Sequence, residues 1–178
     1  SMRDEMRAMR FGLTGQVQIA VIPTALSMVH ELTTPFREKH PDVSFAILSR
    51  TSTEIKALLD DLQIDAGITY LDNEPLGRVT SIPLYRERYQ LVTSNLKDLG
   101  DYEAITWREA ASLPLCLLTP DMQNRRIIDQ QLHMAGAKVS ATLESDSMIA
   151  LFTHVQTGNW ASIMPEKMVE SFGMRDRV

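Results

Sequence analysis

The chain has 178 residues, 44% of them apolar, and carries 18 basic and 23 acidic side chains for a formal charge of −5. That length suits one domain or two small ones with a packed core, and the acidic balance argues against this stretch itself neutralising a nucleic-acid backbone, which takes clustered Lys and Arg. No apolar run is long enough to span a bilayer and no secretory apolar segment follows the N-terminus, so no membrane association and a cytoplasmic location are expected.

Ser1-Met2 reads as a remnant ahead of an internal start, and residues 3–10, with Met2, Met6 and Met9 on one face, as the end of a helix. After the break at Phe11-Gly12-Leu13-Thr14-Gly15, Val17, Ile19 and Val21 alternate with Gln16, Gln18 and Ala20, which is strand periodicity. Pro23 and Thr24 signal a helix start, and Leu26, Val29, Leu32 and Phe36 predict one amphipathic helix over about 24–39, ended by Pro41. Val43, Phe45 and Ile47 predict a second strand. Ser52 or Thr53 then opens a helix with Ile55, Leu58, Leu59 and Leu62 on its apolar face, and residues 65–69 read as a short strand buried on both faces. This β-α-β-α-β order predicts a parallel sheet with right-handed crossovers.

A turn-rich loop leads into a long extended stretch, Val79–Thr93. A second α/β series follows: a helix capped by Thr106, a buried strand in Leu113–Leu118, a helix closed by Gly136, a strand over 138–145, a helix capped by Asp146 or Ser147, a strand over 159–165 and a last helix. Cys116 is the single cysteine; it lies in an apolar run, reads as an inert buried thiol, and leaves no disulfide within the chain.

No motif for catalysis, metal binding or cofactor binding appears. His30, His40, His133 and His154 lack metal-ligand spacing, and no G-x-S-x-G, G-x-G-x-x-G or P-loop is present. Asp60, Asp61 and Asp65 read as a solvated helix end and a lead into a strand. The informative pattern is positional. In open α/β sheets ligands sit beyond the carboxyl ends of strands, at helix N-termini whose free N–H groups favour anions and polar acceptors. Thr24-Ala25-Leu26-Ser27, Thr51-Ser52-Thr53, Met122-Gln123-Asn124-Arg125 and Ser145-Asp146-Ser147 fall at four such points. Each is also an ordinary capping sequence, because hydroxyl and amide side chains are preferred caps.

The order of these elements resembles the effector-binding domain of LysR-type transcriptional regulators over about residues 11–178. The resemblance is carried by Phe36…His40-Pro41-Asp42-Val43, by Leu59…Ile64-Asp65-Ala66-Gly67-Ile68, and by the later stretches PLYRERYQLVTS, ITWREAASLPL, IIDQQLHMAG and HVQTGNWASIMPEKM. In Val155-Gln156-Thr157-Gly158-Asn159-Trp160-Ala161-Ser162-Ile163-Met164-Pro165, Trp160 stands where the family pattern has its second glycine.

The resemblance implies two Rossmann-like subdomains of the periplasmic-binding-protein type II fold joined by crossover hinge strands. The end of a linker helix would occupy residues 1–10, with lobes over 11–84 and 85–178. It implies a small-molecule effector bound between the lobes by Thr24, Ala25, Thr51, Ser52, Thr53, Ser81, Gln123 and Asn124, to which the strand-end position adds Ser147, with Arg125 or Arg126 as a counter-charge. It further implies a homodimer through the first long helix, a tetramer in the full-length protein, and DNA contact only through an N-terminal helix-turn-helix domain outside this chain. No enzymatic activity, cofactor or metal is expected. A transporter's solute-binding protein shares the fold, but the short chain and missing signal peptide argue against it. A prephenate-dehydratase-like enzyme would carry a Thr-Arg-Phe tripeptide that is absent.

Overall fold

The computed structural model describes residues 13–95 and 104–173. The helix expected over residues 3–10 lies outside them. Backbone contacts divide the chain into a first unit, Ser1–Thr69, and a second, Tyr70–Val178.

In the first unit β1 (Gly15–Val21) lies between β2 (Val43–Ser49) and β3 (Ala66–Ile68), all parallel. Gly15 pairs with Val43 and Val21 with Ser49, and Ile19 pairs with Ala66. The alternation of Val17, Ile19 and Val21 therefore gives a strand, as expected. β3 is not buried on both faces: it pairs only with β1, and Ala66 is exposed. The helix expected over 24–39 divides. Pro23–Ala25 is a 3-10 turn, bonds from residue i to i−3 continue through Met28 and Leu32, and only α1 (His30–Lys39) is α-helical. Pro35 inside α1 has no N–H to offer the preceding turn.

α2 (Ser52–Asp60) is capped by Thr51, not by Ser52 or Thr53. The Thr51 hydroxyl accepts the Glu54 N–H at 3.1 Å and the Glu54 carboxylate accepts the Thr51 N–H at 3.0 Å, a reciprocal capping box. The helix buries Ile55 against β3, where Gly67 permits close approach.

In the second unit β4 (Tyr89–Thr93) pairs antiparallel with β7 (Ala161–Pro165), and β5 (Cys116–Leu118) pairs parallel with β6 (Leu143–Ser145). One parallel bridge, Leu115 to Ala161, joins the two pairs. The extended stretch expected from Val79 is a strand only from Tyr89, and the strand expected over 138–145 only from Leu143; backbone pairing is confined to those shorter lengths. α3 (Trp107–Ala110) is capped by Thr106 as expected, and α4 (Gln123–Met134) is followed by Gly136 at φ +73°. α5 (Met148–Gln156) and α6 (Glu166–Ser171) complete the unit.

Period-two alternation sends the strand side chains to two cores. Cys116, Leu118 and Met164 pack with Leu151, Val155 and Met168, whereas Leu115, Leu117 and Ile163 pack with Ile128 and Leu132. Helices thus cover both faces, and the polar ends of the parallel strands are left at the edge.

A Cβ at Gly67 would lie 2.5 Å from Ile55 Cγ2, on a side chain only 1% exposed. Gly67→Ala should therefore cost about 1–3 kcal/mol by overpacking. Urea unfolding measures it, and adding Ile55→Ala should make the two costs less than additive.

Candidate functional site

Parallel strands in one sheet end on the same edge, so in the first unit the segments after β1, β2 and β3 share an edge. Thr24 and Ala25 follow β1 in the 3-10 turn, each 2% exposed. Thr51 follows β2 and is committed to capping; Ser52 beside it is half-buried and Thr53 exposed, and neither side chain hydrogen-bonds among the described residues. Of the next two hydroxyls, Ser27 lies in a stretch singled out in the sequence and Thr69 was missed. Ser27 Oγ, after the 3-10 turn, and Thr69 Oγ1, directly after β3, are buried without a partner. Thr69 carries a signal like that of Thr51, a hydroxyl within two residues of a strand's end.

In the second unit β5 and β6 are the parallel pair. Thr119 follows β5, and its hydroxyl is buried without a partner. It leads into α4, whose N-cap is Met122; a thioether supplies no side-chain cap, so the first-turn N–H groups receive none. Gln123 and Asn124 open the helix, 4% and 6% exposed. Ser147, at the N-cap of α5, does not cap it through its side chain; its N–H instead donates to Ser145 Oγ at 3.1 Å. Ser81 lies apart from these groups by hydrogen bonding, exposed in the irregular segment before β4.

Neither arginine is a spare counter-charge. Arg125, 6% exposed, bonds Asp129 at 2.7 Å, Glu144 at 2.5 Å and the Leu118 carbonyl at 2.7 Å. Arg126 holds Glu74 through two nitrogens and also donates to the carbonyls of Pro120 and Asp121. Both charges are used to fasten α4 to its surroundings, the first to β5 and β6, the second to the segment after β3. Among the described residues no group of His, Cys, Asp or Glu could hold a metal ion.

The same segment meets the α4 amides. Gln123 Nε2 donates to the Asp72 carbonyl at 3.4 Å and to Asn73 Oδ1 at 3.5 Å, and Asn124 Nδ2 donates to the Tyr70 hydroxyl at 3.2 Å. Tyr70 in turn donates to Glu87 at 2.5 Å, and Tyr89 points its hydroxyl at the same carboxylate oxygen at 3.4 Å. Burial, and next the Glu87 charge, push Tyr89 up to about 12.

In both units hydroxyl groups follow the parallel strands, and in the second the amides of Gln123 and Asn124 open a helix that has no side-chain cap. The chain belongs to the LysR substrate-binding domain family, whose model matches residues 11–178. Its fold is the two-subdomain periplasmic-binding-protein type II fold. It is 29% identical to a probable hydrogen peroxide-inducible genes activator of Mycobacterium avium, over 98% of this chain and 54% of that one. Full-length CbnR complexed with its target DNA superposes with a TM-score of 0.74 at 16% identity, covering 95% of this chain and 59% of that chain. The effector-binding domain of QuiR in complex with shikimate gives 0.70 at 22% identity, covering 86% and 75%. The chain spans about half the length of the curated relatives it matches.

Followed by phenolate absorbance, Tyr89 should ionise near pH 12 in the folded chain. Its folded value lies above the ordinary 10.0, so its contribution to stability is intact below about pH 10 and is lost as the pH rises towards 12. Glu87→Gln should lower the midpoint; an unchanged one would assign the whole shift to burial.

Proposed function

We propose that this chain is the effector-sensing domain of a LysR-type transcriptional regulator and that it binds a small polar, anionic metabolite without transforming it. The observation that carries the reading is the concentration of polar groups at the strand ends. Thr24, Ala25, Thr51, Ser52 and Thr53 are the proposed ligand-binding residues of the first unit, Gln123, Asn124 and Ser147 those of the second, with Ser81 in the segment before β4. The buried unpartnered hydroxyls of Ser27, Thr69 and Thr119 support it, because a buried hydroxyl without a partner costs free energy that a ligand can recover. The shikimate complex of QuiR, a protein of the same fold, supports a small organic acid as ligand. The CbnR–DNA complex supports DNA contact through a domain outside this chain in a cytoplasmic regulator.

Within these 178 residues the thiol is a core side chain. Cys116 is their one cysteine; it is fully buried in β5, and burial pushes its thiol up, away from the reactive thiolate.

Thermal unfolding against a panel of small carboxylates and inorganic oxyanions tests the reading. A ligand at a hundredfold excess over its Kd should add about 2.7 kcal/mol to stability. Thr24→Val with Ser52→Ala should abolish that shift and leave the unliganded fold in place. An unchanged shift in this variant would remove the site assignment, and no shift with any compound would remove the sensor reading.

The proposed homodimer uses α1 and β2. No residue of α1 is buried; Leu32 and Phe36 on it and Ile47 on β2 are 39, 36 and 43% exposed, and Phe36 rests edge-on against Phe45 at 5.8 Å. An unburied helix bearing apolar residues beside an exposed strand is suited to a second copy of itself. The full-length tetramer would be built from such dimers. Leu32→Glu with Phe36→Glu should weaken dimerisation at least thirtyfold in analytical ultracentrifugation. A monomeric parent chain, or an unaffected dimer, would overturn this interface.

A further inference from the structure

We infer that the second unit holds a further ligand site, for a small neutral aromatic amide, in a cavity at the end of the sheet where β5 and β7 begin. The inference goes beyond the sensor reading and stands or falls apart from it: Thr119, Gln123 and Asn124 follow β5, whereas this cavity is lined by residues ahead of it. Its volume is about 190 Å³. An apolar cavity of about 150 Å³ holds a benzene ring, so there is room here for one ring with a small substituent. Local pairing builds the walls. One is Leu113-Pro114, ahead of β5, and the other is Gly158 to Trp160, ahead of β7. The Ala161 N–H donates to the Pro114 carbonyl at 3.0 Å and Leu115 bridges to Ala161, so the two walls are joined at their base. Thr93, the last residue of β4, pairs with Ala161 and lines the cavity beside it. Ser94 donates to the Val155 carbonyl at 2.7 Å, which holds the end of β4 against α5. The cavity is therefore preformed.

The lining decides the chemistry. Leu113, Pro114 and Trp160 are apolar, and two of them are rigid rings, against which a flat ring packs with most contact. No charged side chain of the described residues lines the cavity, so a carboxylate or an ammonium would lose water there without gaining a partner. Two polar groups have bonding capacity left. Thr93 is 7% exposed; its hydroxyl accepts the Asn95 N–H at 3.2 Å, and its own proton goes to no described residue. The Asn159 side chain, at the exposed rim, makes no hydrogen bond to a described residue. A carboxamide answers both, its carbonyl accepting the Thr93 proton and its amino group donating to the Asn159 oxygen. Trp160 is the largest side chain in the lining and stands where the family pattern has glycine. A glycine there would leave that wall open, so the site belongs to this chain's departure from the pattern.

Isothermal titration calorimetry of the 178-residue chain with benzamide, benzoate and cyclohexanecarboxamide tests this. Benzamide should bind with a Kd of about 1 mM or tighter, and roughly fivefold more tightly than the charged acid or the puckered ring. In a proton–nitrogen correlation spectrum it should move the indole signal of Trp160 and leave that of Trp107, the other tryptophan, in place; Trp160→Phe assigns the two signals. Trp160→Gly should weaken benzamide roughly tenfold. Thr93→Val keeps a branched side chain in β4 and should weaken benzamide roughly threefold, which decides the matter if Trp160→Gly does not fold. Failure of benzamide to bind overturns the inference. So does equal or tighter binding of benzoate or cyclohexanecarboxamide, a shift at Trp107 in place of Trp160, or an affinity unchanged by the substitutions. None of these outcomes bears on the strand-end residues, so the sensor reading is judged by its own panel.

Discussion

A parallel strand has to leave its sheet at one end, and every strand beside it leaves at the same end. The N–H groups of the next helix turn start there without partners, and no ladder bond can reach them. Much of the functional character of this chain follows from that constraint. Thr51 solves it for α2 with a full capping box, Thr106 does the same for α3, and the hydrogen bonds from Thr106 hold the Glu109 carboxyl below its usual range. At α4 and α5 the solution is withheld. Met122 has no capping group, and Ser147 at the N-cap makes no side-chain cap. Among the described α-helices only α2 and α3 are closed by a side-chain cap; α1, α4, α5 and α6 have none.

The second organising feature is the way charge is consumed around α4. Arg125 and Arg126 are adjacent in sequence and so point to different sides of the helix, one to β5 and β6 and one to the segment after β3. Arg125 is the more enclosed, and its guanidinium meets two carboxylates and a backbone carbonyl, as a buried charge must. Anchoring both faces fixes the helix start. The arginines beside this turn are already paired with carboxylates.

Element type and order were legible in the sequence because they rest on local periodicity. Val17, Ile19 and Val21 alternate, Thr106 precedes a helix, and Gly136 takes a positive φ, all within a few residues of chain. Extent was less legible. Val79, Thr80, Ile82 and Tyr85 are β-forming residues as Tyr89, Val92 and Thr93 are, but only Tyr89–Thr93 has a partner in β7, and pairing is a long-range property. The same limit applies to the site. Hydroxyls after strands could be picked out, and Thr69 and Thr119 obey the same rule as Thr51. Which hydroxyls are spent on capping and which are left over depends on atoms distant in sequence. Arg125 and Arg126 show the limit most clearly: their partners Glu144 and Glu74 lie 19 and 52 residues away.

Trp160 shows how a departure from a family pattern can be absorbed. A glycine is needed where the backbone turns to positive φ, and Gly158 does so at +84°. Trp160 does not adopt positive φ, so its backbone makes no demand that an indole cannot meet. Its side chain is half-buried against the core formed by Val92, Leu151 and Val155, and it meets His154 of α5 edge-on at 5.8 Å. His154 in turn lies one helical turn from Ala150, whose carbonyl it contacts. The bulk is therefore taken up against α5, next to the entry into β7. The substitution therefore bears on how α5 is held against β7.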